Sequence, residues 1–120
     1  MKLSEAIRLG AMMGPQAFGK FMDGDSMCAL YGAALAGGLD LTKEGFIHFM
    51  PKHFPIFVKT APKLPCECGA VYGSDNDTGD VVHHLNDYHH WTRERIARWV
   101  ESVENAIEMD TVVEEVGVLA

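Results

Sequence analysis

Two of the chain's three cysteines and four of its six histidines fall between residues 66 and 90. Their spacing is Cys66-x-Cys68, fifteen residues, His84, four residues, His89. Two thiolates and two imidazoles make the tetrahedral nitrogen and sulfur set that zinc favours, and the last two intervals are those of a zinc site. Zn2+ is therefore the expected cofactor, with Cys66, Cys68, His84 and His89 as its ligands. His83 and His90 are the alternatives to the two histidines. Gly69, directly after the second cysteine, suits a turn that aims two thiolates at one point.

Four good ligands argue for a closed, structural site, because catalytic zinc keeps a position open for water. Glu67 and Asp87 stand where an outer or solvated carboxylate is expected, and the His-x-Glu and Cys-x-x-Cys pattern of zinc deaminases is absent. No catalytic residue is assigned. Positions 84 and 89 of a regular helix lie about 140° apart, so the helix must tighten or unwind before His89 for both rings to meet one ion. In "DNDTGD", Asp75 and Asp77 fit the first positions of a calcium loop, but the glycine and the closing acid are misplaced. That stretch reads as a polar turn in which Asp80 caps the next helix.

The segment resembles the two-cysteine, two-histidine zinc finger. The finger's core aromatic lies four positions after the second cysteine, where this chain has Tyr72. Its core aliphatic lies three positions before the first histidine, where this chain has Val81. The departures are the single residue between the cysteines and the extra "GSDNDTGD" before the helix. A second likeness covers more of the chain. "HLNDYHHW" followed by "TRERIARW", behind "SEAIRLGAM", looks like small bacterial and bacteriophage proteins that share an HLND-x-H-x-W run and a T-R-E-x-I-A-x-W helix. It implies the same paired histidines and no particular activity.

Helices must hold these residues in place. "LSEAIRLGAMMG" predicts a first helix with Ser4 as N-cap and Leu3, Ile7 and Met12 on its core side. A second helix should follow Asp25 or Ser26 and stop at Gly37-Gly38. Its Ala29, Gly32, Ala33 and Ala36 would let another helix come close, and Cys28 is expected to be a small buried side chain. A third, capped by Thr42, carries Phe46, Ile47, Phe49 and Met50 before Pro51 interrupts it. Residues 51–65 read as an ordered, non-helical, proline-rich connection; His53 within it and His48 just before it are expected to be packed or surface side chains. Residues 92–108 form the clearest helix: Thr92 caps it, and Ile96, Trp99, Val100, Val103 and Ile107 make an apolar stripe. Glu94 and Arg98 pair on the other side, and Trp91 and Trp99 are expected core anchors. The tail, 109–120, is compatible with an edge strand, a docking segment or a disordered end.

The expected fold is mainly α, a small α+β domain with a zinc-bound ββα-like knuckle. It reads as one domain over 1–120: a helical segment over 1–50, the connection 51–65, knuckle and helix 66–91, the amphipathic helix 92–108 and the tail 109–120. No membrane span or signal peptide is legible, and three cysteines suit a reducing compartment, so a cytoplasmic protein is expected. Charge divides sharply: residues 1–65 carry seven Lys/Arg against five Asp/Glu, residues 66–120 three against twelve, which recovers the net −7. A polyanion would be repelled by the half that holds the knuckle.

The function this favours is a non-enzymatic, zinc-stabilised module that binds another protein, of phage or prophage origin by the second likeness. The alternative is a DNA-binding regulator, finger-like or helix-turn-helix, with Arg93, Arg95 and Arg98 near the nucleic acid backbone. A metal-dependent enzyme using Glu67 or Asp87 is the least favoured reading.

Overall fold

The computed structural model describes the backbone of residues 1–68 and 76–119, and side chains as far as Met109. Its elements are α1 (Leu3–Ala11), the strands β1 (Met22–Asp23) and β2 (Ser26–Met27), α2 (Ala29–Ala36), α3 (Phe46–His53), a 3-10 turn (Pro55–Val58), α4 (Thr78–Asp87) and α5 (Arg93–Leu119). A mainly helical fold with a minor β component is the expected class. The hairpin pairs Met22 with Met27 and Asp23 with Ser26 around Gly24, whose φ of 61° a side chain would strain.

Helix α2 is buried on all sides through its first six residues, so it forms the centre of the domain. Helix α1 buries Leu3, Ala6, Ile7 and Gly10, one stripe at helical spacing, against it. The two backbones meet at glycines: a Cβ on Gly10 would overlap the carbonyl carbon of Gly32 and lie 2.6 Å from its oxygen. The small-residue spacing of α2 thus does what its sequence predicts. Phe49, Met50, Val81, Val82, Leu85, Ile96 and Val100 complete the core. Fully burying such a side chain stabilises the fold by about 1.5–3 kcal/mol.

Helix α5 runs along α1 in the opposite sense, since Arg8 meets Glu94 and Glu101 while Lys2 meets Glu108. Arg8 donates to Glu101 at 2.6 Å and to Glu94 at 3.0 Å. These bonds lower the pKa of Glu94 and raise that of Arg8.

Several expected helix starts move. Ser4 lies inside α1 and is buried; Lys2 precedes the helix without a side-chain cap, and Glu104 of α5 hydrogen-bonds the Ser4 side chain and backbone. An acid from another helix therefore takes the role assigned to Ser4. The cap of α2 is Cys28, whose sulfur accepts from the Tyr31 N–H at 3.3 Å, in place of Asp25 or Ser26. Thr42 instead bonds Asp40, and α3 starts after Gly45. Pro51 lies within α3; the carbonyl it leaves unbonded belongs to Ile47, an exposed residue, where water can satisfy it. Helix α4 follows Asp77, with Asp80 in its first turn. Met12 is exposed, and the two tryptophans lie half-buried against the core. Residues 109–119 continue α5 as helix, which excludes an edge strand there. Gly69, Tyr72 and Asp75 lie outside the described residues.

Candidate metal centre

The loop that carries the cysteines is closed at its base by a short antiparallel neck. Thr60 bridges Asp77, Ala61 N–H donates to Asn76 at 3.0 Å, and Thr78 donates to Lys59 through both its N–H and its hydroxyl. The neck leads directly into α4, so one segment fixes both the loop and the helix behind it. Around that junction Gly79 lets the Phe57 ring pack close on α4, where any Cβ would overlap it.

Helix α4 presents His84 inward, at 3% exposure, with Val81 fully buried one turn before it. The helix stops at Asp87 with Tyr88 as C-cap, and His90 takes a φ of 51°. This early end removes the angular mismatch between positions 84 and 89, as their spacing demands. The His84 and His89 rings meet edge to face at 4.8 Å, and Tyr88 stacks on His84.

Four donor atoms converge here. Cys66 Sγ is 3.6 Å from His84 Nε2, Cys68 Sγ is 3.4 Å from His89 Nε2, and all four lie within 4.8 Å of one another. With Zn–S near 2.3 Å and Zn–N near 2.0 Å, tetrahedral geometry separates a sulfur and a nitrogen by about 3.5 Å. Each thiol thus already stands at ligand distance from one imidazole, and only the wider pairs need to draw in. Burial, then the neighbouring His89 and His83 imidazoles, hold His84 below the usual histidine pKa and so in the neutral form that binds metal. The hydrogen bond to Cys66, and then burial, raise the Cys68 thiol above its ordinary pKa.

The neighbouring histidines are engaged elsewhere. His83 Nε2 lies 3.3 Å from Asp87, and His90 stacks on Phe18 at 4.3 Å. His53 stacks on Phe49. Cys28 is buried, and burial raises its thiol, as expected for a packed cysteine. Glu67 follows Cys66 on the loop, and Asp87 accepts from the Gly19 N–H and from Asn86.

The residue that sequence reasoning left without a role is Asn86. It is 2% exposed and uses its amide four times, accepting from Gln16 and the Ala29 N–H and donating to the Ala17 carbonyl and Asp87. Its place inside the HLND run was the available signal.

No family model, curated protein or solved structure matches the chain. The zinc-finger likeness therefore stands on these four converging donors and the buried Val81, and the HLND-x-H-x-W likeness on sequence.

Proposed function

We propose that this is a small, non-enzymatic, cytoplasmic protein whose knuckle and α4 are stapled by one zinc ion on Cys66, Cys68, His84 and His89, and that its surface binds another protein. The observation that carries the metal is the matching of each thiol to one imidazole Nε2 at tetrahedral ligand distance. The ion supplies cohesion: it ties the loop to the end of α4, where the binding energy becomes folding energy. With four protein ligands no position is left for a substrate or an activated water. The HLND-x-H-x-W likeness adds a bacterial or bacteriophage origin to this reading.

A protein partner is favoured over nucleic acid by what the arginines do. Arg95 lies over Trp91 at 3.7 Å, Arg98 reaches Glu94, and Arg93 is partly buried. Two of the three arginines that a helix-turn-helix would aim at phosphate thus meet groups within the chain, and all three lie in its acidic half. Among the described residues no helix is long and apolar enough to cross a membrane.

Elemental analysis of purified protein tests the staple, together with Cys66→Ser and His84→Ala variants. One zinc per chain, lost in both variants with a large fall in Tm, is expected. A stably folded chain without metal would refute it, and retention on DNA at low salt would refute the choice of partner.

A further inference from the structure

A cleft of about 410 Å³ opens between the proline-rich loop at residues 62–65 and helix α5. That volume falls within the roughly 300–1,000 Å³ of ordinary ligand pockets. Pro62, Leu64 and Pro65 form one wall, and Trp99, Val103 and Ala106 the other. The three α5 residues recur at i, i+4 and i+7, so they share one side of the helix. Trp99 and Leu64 pack half-buried against the core and Val103 is buried, which fixes the floor. The loop wall is held at both ends. Ala61 donates to Asn76 in the neck, and Cys66 is one of the four converging metal donors.

Charge and backbone chemistry indicate what such a cleft accepts. Lys63 is the one charged residue that lines it. Arg95 stands one turn before Trp99 on the same side of α5, with its guanidinium stacked on Trp91. A guanidinium held by a ring face keeps N–H donors in its own plane for a carboxylate. The described acids of α5 are turned away. At about 100° per residue, Glu94, Glu101, Glu104 and Glu108 lie about 130° or more from the centre of the cleft side. There they meet Arg8, Ser4 and Lys2 of α1. The cleft is therefore a basic, apolar strip within the acidic half of the chain. Pro62 and Pro65 have no N–H, so the loop offers a poor edge for an added strand. An occupant has to enter by a side chain.

We propose that this cleft binds a linear acidic segment of another protein. One bulky apolar side chain of that segment seats against Trp99, and flanking Asp or Glu residues meet Lys63 and Arg95. This names the surface and the partner class of the interaction module, and it rests on that reading. It also gives the metal a second task, since the Cys66 ligand ends the wall that the partner touches.

A displayed library of random linear peptides, panned against the full chain, tests this. Selected peptides should share one bulky apolar residue flanked by Asp or Glu. They should shift NMR amide signals at 62–65 and 99–106, and their binding should weaken as salt rises. A Lys63→Glu/Ser102→Glu variant places acids at two exposed positions of the cleft. It should keep the Tm and zinc content of the parent and lose at least about tenfold in affinity. Lys63→Glu alone should lose affinity in the same direction; unchanged binding there would overturn the basic rim. Basic peptides, binders indifferent to the double variant, or shifts centred on exposed Phe18 and Phe21 would overturn the cleft and leave a protein-binding module standing. A single-stranded oligonucleotide that displaces the peptides would overturn both. Acidic peptides that bind a chain without zinc would refute the staple and leave the cleft in place.

Discussion

The side-chain oxygen of Asn86, on α4, accepts a hydrogen bond at 3.1 Å from the backbone N–H of Ala29, the first residue of α2. The same oxygen accepts from Gln16 at 2.8 Å, and its amide nitrogen donates to the Ala17 carbonyl at 2.9 Å. A helix leaves its first N–H groups unbonded, and here a buried amide from a neighbouring helix supplies a partner. One side chain thereby ties the helix that carries His84 to the centre of the core and to the segment before the hairpin.

Asn86→Ala strips partners from two buried groups, the Ala29 N–H and the Ala17 carbonyl, while the half-buried Gln16 amide keeps its bond to the Trp91 carbonyl. Each unsatisfied group costs about 1–3 kcal/mol, so a loss of about 2 kcal/mol or more in urea denaturation is expected. Asn86→Asp should be nearly as harmful, because it keeps the acceptor but loses the donor and adds a charge beside Asp87. A loss under about 1 kcal/mol for either would show that water replaces these bonds.

Gly10→Ala should destabilise although alanine is the better helix former by about 1 kcal/mol. The added methyl overlaps the Gly32 backbone, which cannot rotate away, and overpacking of this kind costs about 1–3 kcal/mol. Gly45→Ser offers the contrast: the site is open and caps α3, so a hydroxyl there should add a few tenths of a kcal/mol or more. Denaturation midpoints of the two variants on opposite sides of the parent would bear this out.

What could be read from sequence alone was whatever depends on local period and spacing. The stripe Ile96–Val100–Val103, the Thr92 cap and the close-packing small residues of α2 are all present. So is the convergence of Cys66, Cys68, His84 and His89, with the helix ending between the two histidines. What escaped depends on partners far along the chain. Ser4 looks like a cap until Glu104, 100 residues later, takes that place. Asn86 has no role until Gln16, Ala17 and Ala29, 57 to 70 residues earlier, bond its amide. The tail leaves an edge strand open because its valines are β-branched, a weak preference that continuation of an established helix overrides.

Stability should respond to pH in opposite ways at two carboxylates of α5. Burial raises the Glu104 pKa, so the folded chain holds that proton more tightly than the unfolded one, and ionising it at neutral pH opposes folding. The penalty grows as pH rises through the folded pKa and vanishes below the ordinary glutamate value, about 4.3. Glu104→Gln keeps an acceptor for Ser4, so it should be more stable than the parent at neutral pH, with the difference closing on acidification. Glu94 is lowered by the hydrogen bond from Arg8, so its contribution is present above the unfolded value and lost as pH falls through the folded one. Removing it by Glu94→Gln should matter at neutral pH and not in acid. Thermal melts of both variants at neutral and acid pH decide this; a Glu104→Gln chain less stable than the parent at neutral pH would refute it.

Loss of the metal ligands should be graded by burial. Cys66 is half-buried and packs against the core, and His84 is 3% exposed within α4. Cys68 is exposed, and exposed His89 lies just beyond the C-cap Tyr88, so a water can replace either as the fourth ligand. Cys66→Ser and His84→Ala should therefore abolish stoichiometric zinc, while Cys68→Ser and His89→Ala should weaken it and leave a chelator-sensitive fraction. Acid should release zinc from all of them, because protons compete for thiolate and imidazole. In chelated parent, amide exchange should accelerate in the neck at 59–61 and 76–78 and along α4, while the α1–α2 contact at Gly10 and Gly32 stays protected, since no ligand touches it. Equal zinc loss in all four variants, or exchange that accelerates uniformly, would mean that the ion organises the whole domain and not this one corner.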